Sequence, residues 1–259
     1  MIVDLNDYRL LTILLASLVI MLGASEIGRL LGVRATGRGG DDVSTLEGAI
    51  LGLLALMIGF TFAMALSRFE ARREAVVNEA NAIGTTALRA RLLPAPHRAE
   101  VLKLLREYAQ IRLDITQRAA SAIELNAGIT RSNEIQEALW QHVTALAAND
   151  SGMVPTGLFI QTLNEMIDNQ GKRLAALRAR VPSIVIVALY TMAIVASAFA
   201  GYANGLMARR VRPPVYVMGV VVSAVILLIQ DLDRPNTGFF RVSQQPMIDA
   251  AASIAAYAD

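Results

Sequence analysis

Three arginines, Arg68, Arg72 and Arg73, fall within six residues, directly after an apolar stretch. Arginine at a membrane boundary has two uses. Its long stem can snorkel, so that the guanidinium anchors a helix at the interface. Repeated around a symmetry axis, the same charges concentrate anions at a mouth. Asn78, Asn81 and Thr85 follow at spacings of three and four, a polar stripe on one helix face. Asparagine is not chosen for helix propensity, so the stripe points to interhelical hydrogen bonds, with a hydrated lining as the alternative. Near the other end of the chain, Asp231 and Asp233 precede Arg234, Pro235 and Gly238. That grouping reads as a structured interfacial turn. Its two carboxylates are candidate counter-charges for Arg68, Arg72 and Arg73, and a helix stop with charge anchoring is the simpler alternative.

The chemistry the chain lacks is equally informative. It holds no cysteine and two histidines, His97 and His142. That excludes a disulfide scaffold, a thiolate metal site and a cysteine nucleophile. No carboxylate set has metal-ligand spacing, and no phosphate loop, HExxH, nucleophile elbow or dinucleotide turn occurs. We therefore expect no enzyme, no cofactor and no metal. A net charge of +2 carries no nucleic-acid patch, so no nucleic-acid partner is expected.

The elements that must position these residues come from the hydropathy. The 259 residues are 54% hydrophobic and 18% charged, with mean hydropathy +0.46. Soluble domains carry about a quarter charged residues. The apolar surplus sits in four blocks. Leu10 to Ser25 is uncharged and its pattern continues past Glu26 and Arg29, which lie three apart and can pair on one face. Gly48 to Ser67, Val181 to Ala208 and Pro213 to Gln230 are also uncharged. A helix crosses a bilayer in roughly 17–25 residues. The spacing predicts transmembrane helices near 10–32, 46–67, 183–207 and 214–231. A signal peptide fits the first block poorly, because acids precede it where a signal is basic.

The predicted fold is an all-α membrane protein with four transmembrane helices, two plus two, and an extramembrane helical bundle between the second and third. The expected domains are 1–67, 68–181, 182–231 and 232–259, the last an interfacial C-terminal segment. The middle continues the second span to Pro94. It breaks at Asn126–Gly128, turns at Asn149–Gly152 and starts a last helix at Pro155. The connections at Val33–Ser44 and Arg209–Arg212 lie on one side; both termini and the middle lie on the other. Basic short loops stay cytoplasmic, which places the helical domain in the periplasm. Arg68, Arg72, Arg73, Arg178 and Arg180 argue the other way.

Two spans carry small-residue faces. The second has Gly48, Gly52, Ala55, Gly59 and Ala63; the third has Ala193, Ser197, Gly201 and Gly205. Such stripes let helices approach closely in lipid. Packing within one chain, an oligomer interface and a pore wall all use them.

The stretches Gly52–Gly84 (GLLALMIGFTFAMALSRFEARREAVVNEANAIG), Leu88–Pro94 and Asp231–Met247 (DLDRPNTGFFRVSQQPM) resemble the bacterial bestrophin-like domain proteins, and the likeness extends over nearly the whole chain. It implies a membrane protein of the bacterial inner membrane. More distantly the chain is similar to bestrophins, pentameric anion channels with a cytoplasmic middle region. Their Gly-Phe pair, followed at fixed spacing by Arg and an aromatic, is matched by Gly59-Phe60 and Arg68-Phe69. The resemblance implies a pore constriction at Leu56 and Phe60, with Gly52 in place of a bulky residue, and Arg68, Arg72 and Arg73 as an anion-attracting mouth. It also implies a homo-oligomer, a pentamer, passing chloride or another small anion. Three functions stand at this point: an anion channel, a membrane-anchored scaffold or sensor whose helical domain binds a partner, and a small-solute carrier. The carrier ranks last, because broken helices and mid-membrane charges are missing.

Overall fold

A computed structural model describes residues 10–35, 40–117, 122–149, 154–206, 213–235 and 238–257. These form eight helices, and no strand occurs among the described residues. They are α1 (Leu10–Arg34), α2 (Gly40–Ala90), α3 (His97–Gln117), α4 (Ala122–Asn149), α5 (Val154–Arg178), α6 (Ser183–Leu206), α7 (Pro213–Asp233) and α8 (Gln245–Ala255). Four helical stretches are long and apolar enough to cross a membrane: α1, α2, the one ending at Leu206, and α7. The basic turn at Arg209–Arg212, most of the Asn149–Gly152 turn and the centre of the glycine-rich loop lie outside the described residues. Two compact units divide the chain, Met1–Phe69 with Arg180–Arg241 and Glu70–Ala179 with Val242–Asp259, and α2 contributes to both.

The first unit is built on the α1–α6 contact. A Cβ placed on Gly28 would lie 2.8 Å from the Ala198 carbonyl carbon, and one on Gly201 2.7 Å from that of Ser25. Gly32 and Gly205 repeat the approach a turn further on, against Tyr202 and Val33. Only hydrogen fits at these four positions, so the two backbones touch. Dispersion between closely packed backbones, rather than the hydrophobic effect, holds helices together in lipid. Gly219 of α7 meets Met21 and Leu22 at ordinary contact distance. Hydroxyls buried in these helices bond their own backbone: Ser17 Oγ donates to the Ile13 carbonyl at 2.7 Å, and Thr61 Oγ1 to that of Met57 at 2.8 Å. Glu26 and Arg29 pair as their spacing predicts, at 2.8 Å, and Tyr216 Oη donates to the same carboxylate.

The second unit is a bundle of the C-terminal part of α2 with α3, α4, α5 and α8. Ile83, Leu102, Leu105, Leu139, Leu163 and Met166 are fully buried in its core. Two expectations are corrected here. Asn126–Gly128 does not break the chain: α4 runs through it, and Gly128 makes room for Ile115, whose Cδ1 would lie 2.6 Å from a Cβ there. The C-terminal segment is also more than interfacial, since α8 seals this core with Met247 and Ile254, both 0% exposed.

A polar network crosses the same bundle. Glu79, 0% exposed, accepts from Arg112 at 2.6 Å and from Arg173, and Arg173 also donates to Gln244. Tyr108 Oη donates to Gln170 Oε1 at 2.7 Å, and burial pushes the phenol well above its usual range. Burying a carboxylate between two guanidiniums is tolerable only because every charge has a close opposite.

Candidate functional site

The α2 helix has two unlike faces. Leu54, Thr61 and Ala65 are buried on one. On the other, Gly48, Gly52, Leu56, Gly59, Phe60 and Ala63 are all exposed. Leu56 is 53% and Phe60 67% accessible. A Cβ added to Gly48, Gly52 or Gly59 would meet nothing within 4 Å. This small-residue face is therefore not used for packing within the chain, unlike its counterpart on α6, where Gly201 and Gly205 meet α1. The partners of that second stripe, Gly28 and Gly32, lie four apart in the first span; their spacing was the signal, hidden beside Glu26 and Arg29.

Helical register sorts the charges. Each residue turns about 100° around the axis, so Ser67, Glu74, Asn78 and Thr85 lie within about 40° of Phe60 on α2, Ala63 and Asn81 within about 60°, and Glu70 about 80° to the same side. By the same count Arg68 lies about 80° to the opposite side, towards buried Thr61 and Ala65, Arg72 about 120° in that direction, and Arg73 about 140° away beyond Glu70. Burial bears on the same point: Arg68 and Arg73 are exposed, but Arg72 is 2% accessible, buried within the protein and withdrawn from an aqueous mouth. Around the helix Arg68 and Arg72 lie only about 40° apart, while Arg73 points about 100° or more from both, so burial and register together divide the three arginines. Glu70 and Glu74 are exposed and went unassigned in the sequence, although a helical count from Phe60 finds them.

The carboxylates after the fourth span organise backbone. Asp231 accepts from the amides of Phe239 at 2.8 Å and Phe240 at 3.0 Å. This closes the predicted turn, and Gly238 lies so close to the Asp231 carboxylate that no side chain fits there. Phe239 is left 83% exposed. Asp233 accepts from the Val181 amide at 2.9 Å, which fastens the entry to the third span to the exit of the fourth. Both acids are buried, at 2% and 3% accessible, so bonds to amides satisfy charges that lipid and protein cannot solvate.

With four spans, a helical unit drawn from the middle of the chain and this arrangement of α2, the relevant comparison is with known families. The family model described as Bestrophin-like domain matches residues 7–247. The chain belongs to the bestrophin-like domain family. A bacterial bestrophin homolog from Klebsiella pneumoniae has a similar fold, with TM-score 0.66 at 16% identity, covering 95% of this chain and 97% of that one. Two point variants of the same homolog give TM-scores of 0.66 and 0.65 at 16% and 14% identity, over 95% and 92% of this chain and 98% and 97% of theirs. At such identity the likeness is one of fold. No curated protein matches the sequence. This bestrophin-like chain is thus an all-α, multi-pass membrane protein.

Proposed function

We propose that the chain is the protomer of a homo-oligomeric ion channel whose pore wall is the exposed face of α2. The observation that carries this reading is the face itself. It is long, apolar and glycine-rich, its own chain leaves it bare, and the opposite face of the same helix is buried. Copies arranged about an axis would bring Leu56 and Phe60 together as an apolar constriction, which gates by excluding water. The pentamer implied by the resemblance would close such a ring. A scaffold needs no such face.

The resemblance favours small anions such as chloride. Arg68, exposed at the flank of the Phe60 stripe, would raise their local concentration without binding them tightly. A second reading, passage of small cations, is supported by Glu74, exposed and within about 40° of Phe60 around α2, with exposed Glu70 further to the same side. Asp231 and Asp233 serve in either case to hold the membrane helices in register.

Purified protein in liposomes tests this. We expect a voltage-driven ion flux that Phe60→Ala raises or frees from gating. Arg68→Glu should lower the chloride-to-sodium ratio, and joint Glu70→Gln and Glu74→Gln should raise it if the acids face the axis. A tight preparation without flux, or a monomeric mass in detergent, returns the scaffold reading.

A further inference from the structure

The chain contains only two histidines, and the fold places them together. His97 is the first residue of α3 and His142 lies in α4, 45 positions on. Their Nδ1 atoms stand 3.1 Å apart, with ring centroids 5.4 Å apart and ring planes at 82°. Both side chains are half-buried, so solvent reaches them. We propose that this pair is a binding site for a borderline divalent transition ion of the zinc, nickel or copper class, held by the two Nδ1 atoms and clamping α3 to α4.

The geometry carries the assignment. Two imidazoles on one tetrahedral ion, with bonds of about 2.0–2.1 Å, have their nitrogens about 3.3 Å apart. The observed separation needs only a small opening and a turn of each ring for both lone pairs to meet at one point. Without metal, one Nδ1–H donates to the other Nδ1. On binding, the donor ring changes tautomer, its proton moving to Nε2 through water, so both rings stay neutral. Imidazole suits this class of ion, while magnesium and calcium prefer oxygen. Metal needs neutral rings, so binding weakens as pH falls. Glu100, one turn beyond His97 on α3, lowers the electrostatic cost of bringing a cation here. Among the described residues no cluster of three or more His, Asp or Glu side chains forms a metal cage, so water fills the remaining positions. The site is therefore open and exchangeable rather than a closed structural centre. The pairing of α3 with α4 is internal to the second unit, so the site is independent of the pore reading.

The test uses the full chain in detergent, free of any histidine tag. Zinc chloride titrated calorimetrically should bind at one ion per chain. His97→Gln and His142→Gln, which keep a polar side chain, should each weaken binding by more than about tenfold, the scale set by losses even beyond the ligand shell. The paramagnetic resonance spectrum of bound copper(II) should show coupling to two ring nitrogens. Failure of zinc to bind saturably, or equal affinity in wild type and both variants, overturns the proposal. So does a copper spectrum without nitrogen coupling, which needs no variant and stands even where a substitution prevents folding.

Discussion

Substituting Gly28 by alanine probes the contact on which the first unit depends. The new Cβ would lie 2.8 Å from the Ala198 carbonyl carbon and nearer still to its oxygen, whereas ordinary contact begins at 3.4 Å. Both neighbours are backbone, so no rotamer change relieves the clash and the helices must part by more than half an ångström. A gap of about 0.5–1 Å forfeits a quarter to a half of each dispersion contact it opens, and overpacking typically costs about 1–3 kcal/mol. Alanine in place of glycine also gains about 1 kcal/mol of helix propensity. Gly23, in the same helix with nothing within 4 Å of its would-be Cβ, isolates that gain. Gly28→Ala should therefore unfold below Gly23→Ala by roughly 1–3 kcal/mol, on the order of 2–12 °C in midpoint. Thermal unfolding in detergent, followed by gel filtration, measures the difference. Gly201→Ala should behave as Gly28→Ala does. A midpoint for Gly28→Ala at or above that of Gly23→Ala would refute the close approach of α1 and α6.

Gly52→Leu or Gly59→Leu should disrupt assembly on native gels more than Leu54→Ala, because the glycines lie on the bare face and Leu54 is buried within the chain; unchanged migration of both glycine variants would mean this face meets lipid. Glu79→Gln leaves Arg112 and Arg173 buried without their shared counter-charge and should destabilise the second unit by about 3–5 kcal/mol, read as protease sensitivity of its helices. His142 has a folded pKa below its unfolded 6.5, so the unfolded chain takes up the proton first; stability should be level above pH 6.5 and decline as pH falls below it, and His142→Gln should flatten that slope in denaturant titrations. Reporter fusions at residues 120 and 259 should face one side of the membrane and those at 40 and 210 the other, the latter pair cytoplasmic on the loop-charge argument; opposite reports from 120 and 259 would break the four-span topology.

The spans and the all-helical class were legible in the sequence alone, because in lipid every backbone group must be satisfied within a helix or a closed barrel, and uncharged stretches of this length without strand alternation take the helix. The Glu26–Arg29 pair was equally legible, since it depends only on local spacing. What meets what was not. Both small-residue stripes looked alike in sequence, yet α6 spends its glycines on α1 while α2 leaves its own bare. A stripe states how close a neighbour can come and never which neighbour arrives. The arginine cluster divides for a related reason: adjacency along the chain is not adjacency around a helix, and Arg72 turns inward while Arg68 and Arg73 stay exposed. Glu79 with Arg112 and Arg173, and His97 with His142, join residues tens of positions apart on different helices. Charge and imidazole chemistry are visible in each residue, but the 3.1 Å between two ring nitrogens exists only once α3 and α4 have packed, and that packing is set by the whole apolar core around them.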